Sequence, residues 1–208
     1  MLSRIQTALF AVVASLLATI ILSGGFAVIR DAFWTGKLST VGVFKSLWKG
    51  IRANIFYAFV STVLMAGSVF GIYTFCVWGQ YNLPLWAMII AAIAMSIVAM
   101  FLAIYLLILC SVTVTYRQSI LENLDDSWRL LWLNVLPNII HFLLAILPVP
   151  LYFIFQGNML QMIYLTLALM FGGLYFPLVW HTHMMKTFAL FHPVEPKKKN
   201  KQQHQQQQ

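Results

Sequence analysis

The 208-residue chain has too few charged residues to form a water-soluble globule. Hydrophobic residues make up 61% of the sequence and charged residues 9%, whereas a soluble domain carries roughly 25% charged residues because its surface faces water. The mean hydropathy of +0.83 therefore places most of the chain in lipid. The net charge of +8 does not indicate nucleic acid, because the basic residues lie between apolar stretches and in the C-terminal tail. In those places they suit the anionic headgroups of a lipid bilayer.

Five apolar segments are long enough to cross a bilayer, which takes about 20 helical residues. They cover 7–29, 53–78, 85–114, 133–155 and 159–180. The sequence therefore predicts an all-α polytopic membrane protein with about five transmembrane helices, in a membrane domain over 1–192. The alternative for the first segment is a cleaved signal peptide, which would leave four helices. We favour a retained helix, because the apolar stretch is longer than the roughly 7–15 residues of a signal core.

The Lys and Arg residues between these segments predict the orientation. Twelve of the thirteen lie in alternate connections and in the tail, and Arg4 alone lies on the opposite side. Since positively charged loops stay in the cytoplasm, we expect a plasma-membrane protein with its N-terminus outside and its C-terminus inside. The tail at 193–208 is rich in Lys and Gln and has no apolar face, so we expect it to be disordered.

Two cytoplasmic connections have the spacing of amphipathic helices. In the first, an apolar stripe lies beside a row of cations, so we expect a helix in the interface whose cations reach lipid phosphates. In the second, a stripe from Tyr116 to Leu131 lies opposite a mainly acidic face, which favours docking against protein. The stripe of the first consists of Phe44, Leu47, Trp48 and Ile51. The predicted lipid-interface residues of both are Lys45, Trp48, Lys49, Arg52, Trp128 and Arg129.

A short pattern occurs twice along the chain. Residues 48–55 and 128–135 both read W-[KR]-x-[IL]-x-x-N-[IV], and each segment leads from an amphipathic connection into a span. We therefore predict two parallel repeats, at about 44–114 and 116–185, related by an axis along the membrane normal. The alternative is coincidence in a chain rich in tryptophan.

No catalytic or metal-binding motif is visible in the sequence. All five acidic residues fall outside the predicted spans, whereas proton- or ion-coupled transport usually needs an ionisable group within the membrane. His181 and His183 would project about 200° apart on a helix, so they cannot chelate one ion together. We expect no enzymatic activity, no cofactor and no bound metal.

One polar stripe lies within a predicted span. Asn134, Asn138 and His141 share a face of the fourth span at spacings of four and three residues. They either line a ligand pocket or form hydrogen bonds between helices, which contribute roughly 0.6–2 kcal/mol each. The second role is the commoner one.

Small residues predict two close-packing surfaces. Ser15, Thr19 and Ser23 follow one face of the first span, and Gly67 and Gly71 form a G-x-x-x-G pair in the second. These surfaces would pack within the chain or between two copies of it.

Several longer segments resemble a known family. They are Leu2-Ser3-Arg4-Ile5, the Arg30-Asp31 segment that leads to 44–54, and Leu121-Glu122-Asn123 running to Asn134-Val135-Leu136-Pro137. Together they make nearly the whole chain similar to the YesL-like bacterial membrane proteins. That resemblance implies an accessory role in carbohydrate transport, since the family accompanies sugar-uptake and polysaccharide-utilisation systems, and it implies no catalytic residues.

The sequence favours a non-enzymatic accessory or regulatory membrane component that is associated with solute uptake. Its partners would be transporter subunits or a second copy of the chain. The alternative is a small facilitator with a pocket beside the polar stripe of the fourth span. An intramembrane enzyme is disfavoured because the spans contain no acid–base pair.

Overall fold

The structure is a computed structural model that describes residues 20–34, 36, 39–116, 118–148, 151 and 158–191. These residues form helices and contain no strand, which confirms the all-α prediction for the described part of the chain. The helices are α1 (20–34), α2 (Thr40–Asn82), α3 (Leu85–Thr115), α4 (Ile120–Leu133), α5 (Val135–Ile146) and α6 (Asn158–Phe191).

The predicted number of spans is not supported. By length and composition, α2 and α3 can each cross a membrane, and the bent pair of α4 and α5 makes a third candidate if it counts as one span. The described residues thus give two to three candidate spans in place of about five. Most of the first predicted span, at 7–19, lies outside the described residues, as do 149–150 and 152–155 of the fourth and the whole tail at 193–208.

Helix α2 joins two elements that the sequence predicted to be separate. The expected interfacial helix at 44–52 and the span at 53–78 are parts of one helix of 43 residues. Its N-terminus is capped by Ser39, whose hydroxyl oxygen accepts a hydrogen bond from the Gly42 amide at 3.1 Å. No break occurs at Gly50, in spite of the low helix propensity of glycine, because that residue packs directly against α1.

The contact between α1 and α2 is a close approach of two backbones. A Cβ atom at Gly50 would lie 2.5 Å from the Cβ atom of Ala27 and 2.6 Å from the carbonyl oxygen of Ser23. Only glycine fits at such a distance. On the facing helix, a Cβ atom at Gly24 would lie 3.0 Å from the side chain of Leu47 and 3.3 Å from that of Ile51, which is also a tight contact.

The buried face of α2 is made of small and polar residues rather than of large apolar ones. It recurs every four residues as Ser46, Gly50, Asn54, Ala58 and Thr62. By contrast, the Phe44 side chain is 70% exposed and that of Trp48 is 56% exposed. The predicted apolar stripe is therefore divided: its outer members face away from the protein, and Leu47 and Ile51 contact α1. The predicted G-x-x-x-G surface makes no contact within the described residues, since nothing lies within 4 Å of a Cβ atom at Gly67 or Gly71.

The packed core lies at one end of the molecule. It combines the last turns of α1, α3 and α6 with α4, and its members include Phe26, Ile108, Leu130, Trp180 and Phe188. At the other end, α2 and α3 form a helical hairpin, which we call the apolar hairpin and define as residues 63–98. Its large side chains face outward, as in Phe70 (68% exposed), Trp86 (68%) and Val98 (69%). A continuous apolar surface of this kind is typical of contact with lipid or with another membrane protein.

Helix α4 lies between α3 and a sharp bend. The α4 and α5 axes differ by 93°, and the bend falls at Asn134, close to the predicted start of the fourth span. Helix α4 packs against α3, in keeping with the prediction that it docks on protein. The buried face coincides with the predicted stripe only in part: Leu131 is buried, together with Asn123, Ser127 and Leu130, while Ile120 and Trp128 are more than half exposed.

The two segments of the predicted repeat differ in backbone geometry. The helix continues through Asn54, whereas it ends and restarts at Asn134. The repeat itself stays a prediction.

Substitution of Gly50 tests the close approach of α1 and α2. We expect Gly50→Ala to lower the free energy of unfolding by about 1–3 kcal/mol, the usual cost of overpacking, as measured by thermal denaturation in mild detergent. Gly67→Ala is the matched control on the same helix. Because that position is open, it should be neutral or gain up to about 1 kcal/mol from helix propensity. Equal stability of both variants and the wild type would contradict the close contact.

Helix α4 also carries a pH-dependent cap. The Ser119 hydroxyl accepts from the Glu122 amide at 3.3 Å, and the Glu122 carboxylate accepts from the Ser119 amide at 2.8 Å. The hydrogen bond from the Ser119 backbone, followed by that from its side chain, lowers the pKa of Glu122 below its ordinary value of 4.5.

Because the folded-state pKa is lowered, the cap stabilises α4 above the ordinary pKa of Glu122 and is lost as the pH falls through the lowered value. We expect hydrogen-exchange protection of the first turn of α4, corrected for intrinsic exchange rates, to fall over that range. In Glu122→Gln, which removes the titrating carboxylate, the protection should be independent of pH over that range. A pH dependence that survives in Glu122→Gln would assign the effect to another group.

Candidate functional site

The predicted polar stripe of the fourth span meets α6 at a buried asparagine. The amide nitrogen of Asn138 donates to the carbonyl oxygen of Leu130 at 3.1 Å, near the C-terminus of α4. Its oxygen must then accept, and it does so from Nε2 of His183 at 3.0 Å. Asn138 is 1% exposed. It therefore satisfies a carbonyl that the bend leaves without a partner in its own helix, and it joins α4, α5 and α6.

His141 extends this site by ring stacking. Its imidazole lies 3.9 Å from that of His183 between centroids, with an angle of 10° between the planes. Its Nδ1 atom lies 2.8 Å from the carbonyl oxygen of Pro137 and must donate to it, because a carbonyl only accepts. Both rings are thus held in defined orientations by partners on α5.

The structure separates Asn134 from the other two residues of the stripe. It lies at the bend between α4 and α5 and makes no side-chain hydrogen bond that caps α5. The site that forms consists of Asn138, His141 and His183. The third member was not predicted, because spacing within one helix does not relate His183 to His141 on another helix. The signal that could have found it is that His141 lies in the cytoplasmic half of the fourth predicted span and His183 just beyond the cytoplasmic end of the fifth.

A second polar cluster lies deeper in the core, between α2, α3 and α6. The Asn54 amide donates to the Cys110 carbonyl at 3.2 Å, and Nδ1 of His181 lies 3.3 Å from the hydroxyl of Ser111. The Phe26 ring stacks on His181 with 4.8 Å between centroids. Within the described residues, the Asn54 side-chain oxygen and Nε2 of His181 have no hydrogen-bond partner although they are buried. Both residues are 0% exposed, so these two atoms are closed off from solvent.

Arg30, which also forms an ion pair with Asp31, fixes the end of α1 against α3. The Arg30 guanidinium contacts the Asp31 carboxylate at 2.5 Å and donates to the backbone carbonyl of Val114 near the C-terminus of α3. The other carboxylate oxygen of Asp31 accepts from the hydroxyl of Ser46. Because the last carbonyls of a helix carry partial negative charge, a guanidinium is well placed there.

Beside this ion pair lies a cleft of about 460 Å³ between the ends of α1 and α3 and the first third of α2. We call it the three-helix cleft. Its lining includes Arg30, Trp34, Lys49, Ala53, Thr115 and Tyr116. Burial, and secondarily the negative charge of Asp126, raise the pKa of Tyr116 to about 12, so its hydroxyl stays protonated at physiological pH.

The predicted lipid-interface residues lie on the outside of this end of the molecule. All six of these residues are exposed: Lys45, Trp48, Lys49, Arg52, Trp128 and Arg129. The Arg52 guanidinium lies 5.1 Å from the centre of the Trp48 ring, within the range of a cation–π contact. Arg129 forms an ion pair with Asp125 one turn earlier at 2.8 Å. Contact of these residues with lipid stays a prediction.

Among the residues that the structure describes, no three His, Cys, Asp or Glu side chains converge on a point that could hold a metal ion. Comparison of the chain with models of protein families, with curated proteins and with solved structures finds no match. The interpretation of these clusters therefore rests on their geometry.

Substitution of Asn138 tests its bridging role. Asn138→Ala leaves a carbonyl of α4 and a ring nitrogen of His183 without partners, so we expect a loss of about 1–3 kcal/mol in unfolding free energy, measured in mild detergent. The matched control is Asn134→Ala, which removes the same amide from a position without a capping hydrogen bond and should change stability by less than about 0.5 kcal/mol. The reverse order of the two effects would contradict the bridging role.

Proposed function

We propose that this chain is an integral plasma-membrane protein without catalytic activity, which serves as an accessory or regulatory component of solute uptake. One observation carries the proposal: the polar side chains of α5 are used to hold helices together, whereas the apolar hairpin has no partner within the described residues. Asn138 uses both of its polar atoms on protein groups. The chain is therefore better suited to bind a partner protein through an apolar surface than to bind a solute in a polar pocket.

The distribution of charge supports the predicted orientation. No Lys or Arg occurs in the apolar hairpin at 63–98, whereas Arg30, Lys49 and Lys186 lie on helix segments at the packed end. Since positive residues stay on the cytoplasmic side, the packed end would face the cytoplasm and the tip of the hairpin would face outward.

The apolar hairpin supports a role in association. Its exposed side chains are large and apolar on both helices, and Gly67 and Gly71 add a stripe where another helix can approach closely. The proposed partner is a subunit of a membrane transporter. The resemblance to YesL-like proteins supports carbohydrate as the class of solute.

A small facilitator is the second candidate. It is favoured by Asn54 and His181, which each present a buried polar atom without a partner in the described residues. A pocket would have to form around these two residues, because His141 and Asn138 already bind protein groups.

Reconstitution separates the two candidates. We expect the purified chain in liposomes to give no flux of labelled mono- or disaccharides above protein-free liposomes, because an accessory protein has no path of its own. In cells that lack the gene, uptake of the affected sugar should fall and should be restored by the wild type. Flux through liposomes that contain this chain alone would establish the facilitator.

Two variants with normal membrane abundance sharpen this test in cells. We expect His141→Ala to restore uptake like the wild type, because its Nδ1 atom binds the Pro137 carbonyl and its ring stacks on His183. Phe70→Ala removes a large side chain from the centre of the apolar hairpin and should lower uptake several-fold by weakening association. Loss of uptake in His141→Ala together with full uptake in Phe70→Ala would contradict the accessory role.

A further inference from the structure

We propose that the three-helix cleft binds the phosphate group of a membrane lipid. This site goes beyond the accessory role and does not depend on which solute or transporter is involved. It requires only that the packed end lies at a membrane surface. The cleft has a volume of about 460 Å³, which lies within the range of roughly 300–1,000 Å³ for small-molecule sites.

The balance of charge in the cleft favours an anion. Arg30 and Asp31 neutralise each other in their ion pair, and both carboxylate oxygens of Asp31 accept hydrogen bonds from protein groups. Lys49 has no ion-pair partner among the described residues. Counted over the described residues that line it, the cleft therefore carries one uncompensated positive charge, on the Lys49 side chain, whose three N–H donors bind phosphate as a point charge.

The walls of the cleft are fixed by the packing described above. Gly50 holds α2 against α1 with backbone atoms in contact, and Arg30 ties α1 to the Val114 carbonyl of α3. A ligand phosphate would thus meet groups that are already in place, which lowers the entropic cost of binding.

The surface next to the cleft identifies the phosphate as part of a lipid rather than as a soluble ester. Lys49, Ala53, Phe56 and Val60 follow one another at spacings of four, three and four residues, so they share one side of α2. Phe56 is 61% exposed and Val60 36% exposed. A phosphate at Lys49 thus lies at the head of an apolar stripe that runs toward the apolar hairpin, where acyl chains can lie.

This site differs from the general attraction of basic residues for anionic membranes. Lys45 precedes Lys49 by one helical turn and is also exposed, but it does not line the cleft. Each exposed cation adds a similar long-range attraction near an anionic surface. If the cleft is a specific site, binding of the lipid depends on Lys49 and not on Lys45. If only long-range attraction acts, the two lysines contribute equally.

Thermal denaturation of the full-length chain tests the site. The protein is delipidated in a non-ionic detergent, and dioleoyl phosphatidylglycerol, dioleoylglycerol or glycerol 1-phosphate is added. We expect phosphatidylglycerol at about 100 times its Kd to raise the Tm by about 5–10 °C, and the other two compounds to leave it unchanged. The same shift should occur in Lys45→Gln and be lost in Lys49→Gln.

A second variant, which blocks the cleft without changing its charge, controls for indirect effects of Lys49→Gln. Ala53→Phe fills the cleft from an exposed position of α2, so its Tm without lipid should match that of the wild type while the lipid-induced shift disappears. Equal loss of the shift in Lys45→Gln and Lys49→Gln would reduce the effect to surface charge and overturn the site. An equal shift with glycerol 1-phosphate would overturn the lipid assignment, and an equal shift with dioleoylglycerol would overturn phosphate recognition.

Discussion

The backbone contact between α1 and α2 at Gly50 determines the shape of the packed end. Lipid tails are as apolar as leucine, so helices in a membrane gain little by burying apolar surface and are held by close packing and hydrogen bonds instead. Because Gly50 and Gly24 carry no side chains, the two backbones meet. This approach brings Asp31 to Ser46 and Arg30 to the end of α3. The three-helix cleft is a consequence of the same contact.

Two asparagines complete the assembly by the same chemical device. Asn54 reaches from α2 to a carbonyl of α3, and Asn138 reaches from α5 to a carbonyl of α4. Both are buried, and each bonds to a backbone oxygen near the C-terminal part of another helix. An amide in these positions orients one helix against the next. The large apolar side chains, in contrast, are left mostly on the outside.

This arrangement, with small and polar residues at the helix contacts and large apolar side chains mostly outside, explains which parts of the structure could be predicted from the sequence. Composition and segment length predict helices correctly, and the predicted start of the fourth span, at residue 133, lies next to the bend at Asn134. The division of the apolar stripe at 44–51 could not be predicted, because spacing shows that Phe44 and Trp48 share a face with Leu47 without showing which part of that face α1 covers. The buried stripe of α2 through Ser46, Gly50 and Asn54 has the same period, but small residues carry little weight in a hydrophobic pattern. His183 was missed because its partner, His141, lies on another helix.

The length of α2 constrains the depth of the polar clusters. At about 1.5 Å per residue its 43 residues extend about 65 Å, whereas the hydrocarbon layer is about 30 Å thick. A tilt of about 60° would be needed to contain it, beyond the range of roughly 0–40° seen for membrane helices. If α2 crosses the membrane as proposed, the end that carries Lys45, Lys49 and Arg52 leaves the hydrocarbon, and Asn54 lies close to the headgroups. A solute bound at that depth would still have to cross the layer beside the apolar hairpin, where the hydroxyls of Ser68 and Ser96 donate to carbonyls of their own helices. The depth of the clusters therefore favours association with a transporter over transport by this chain.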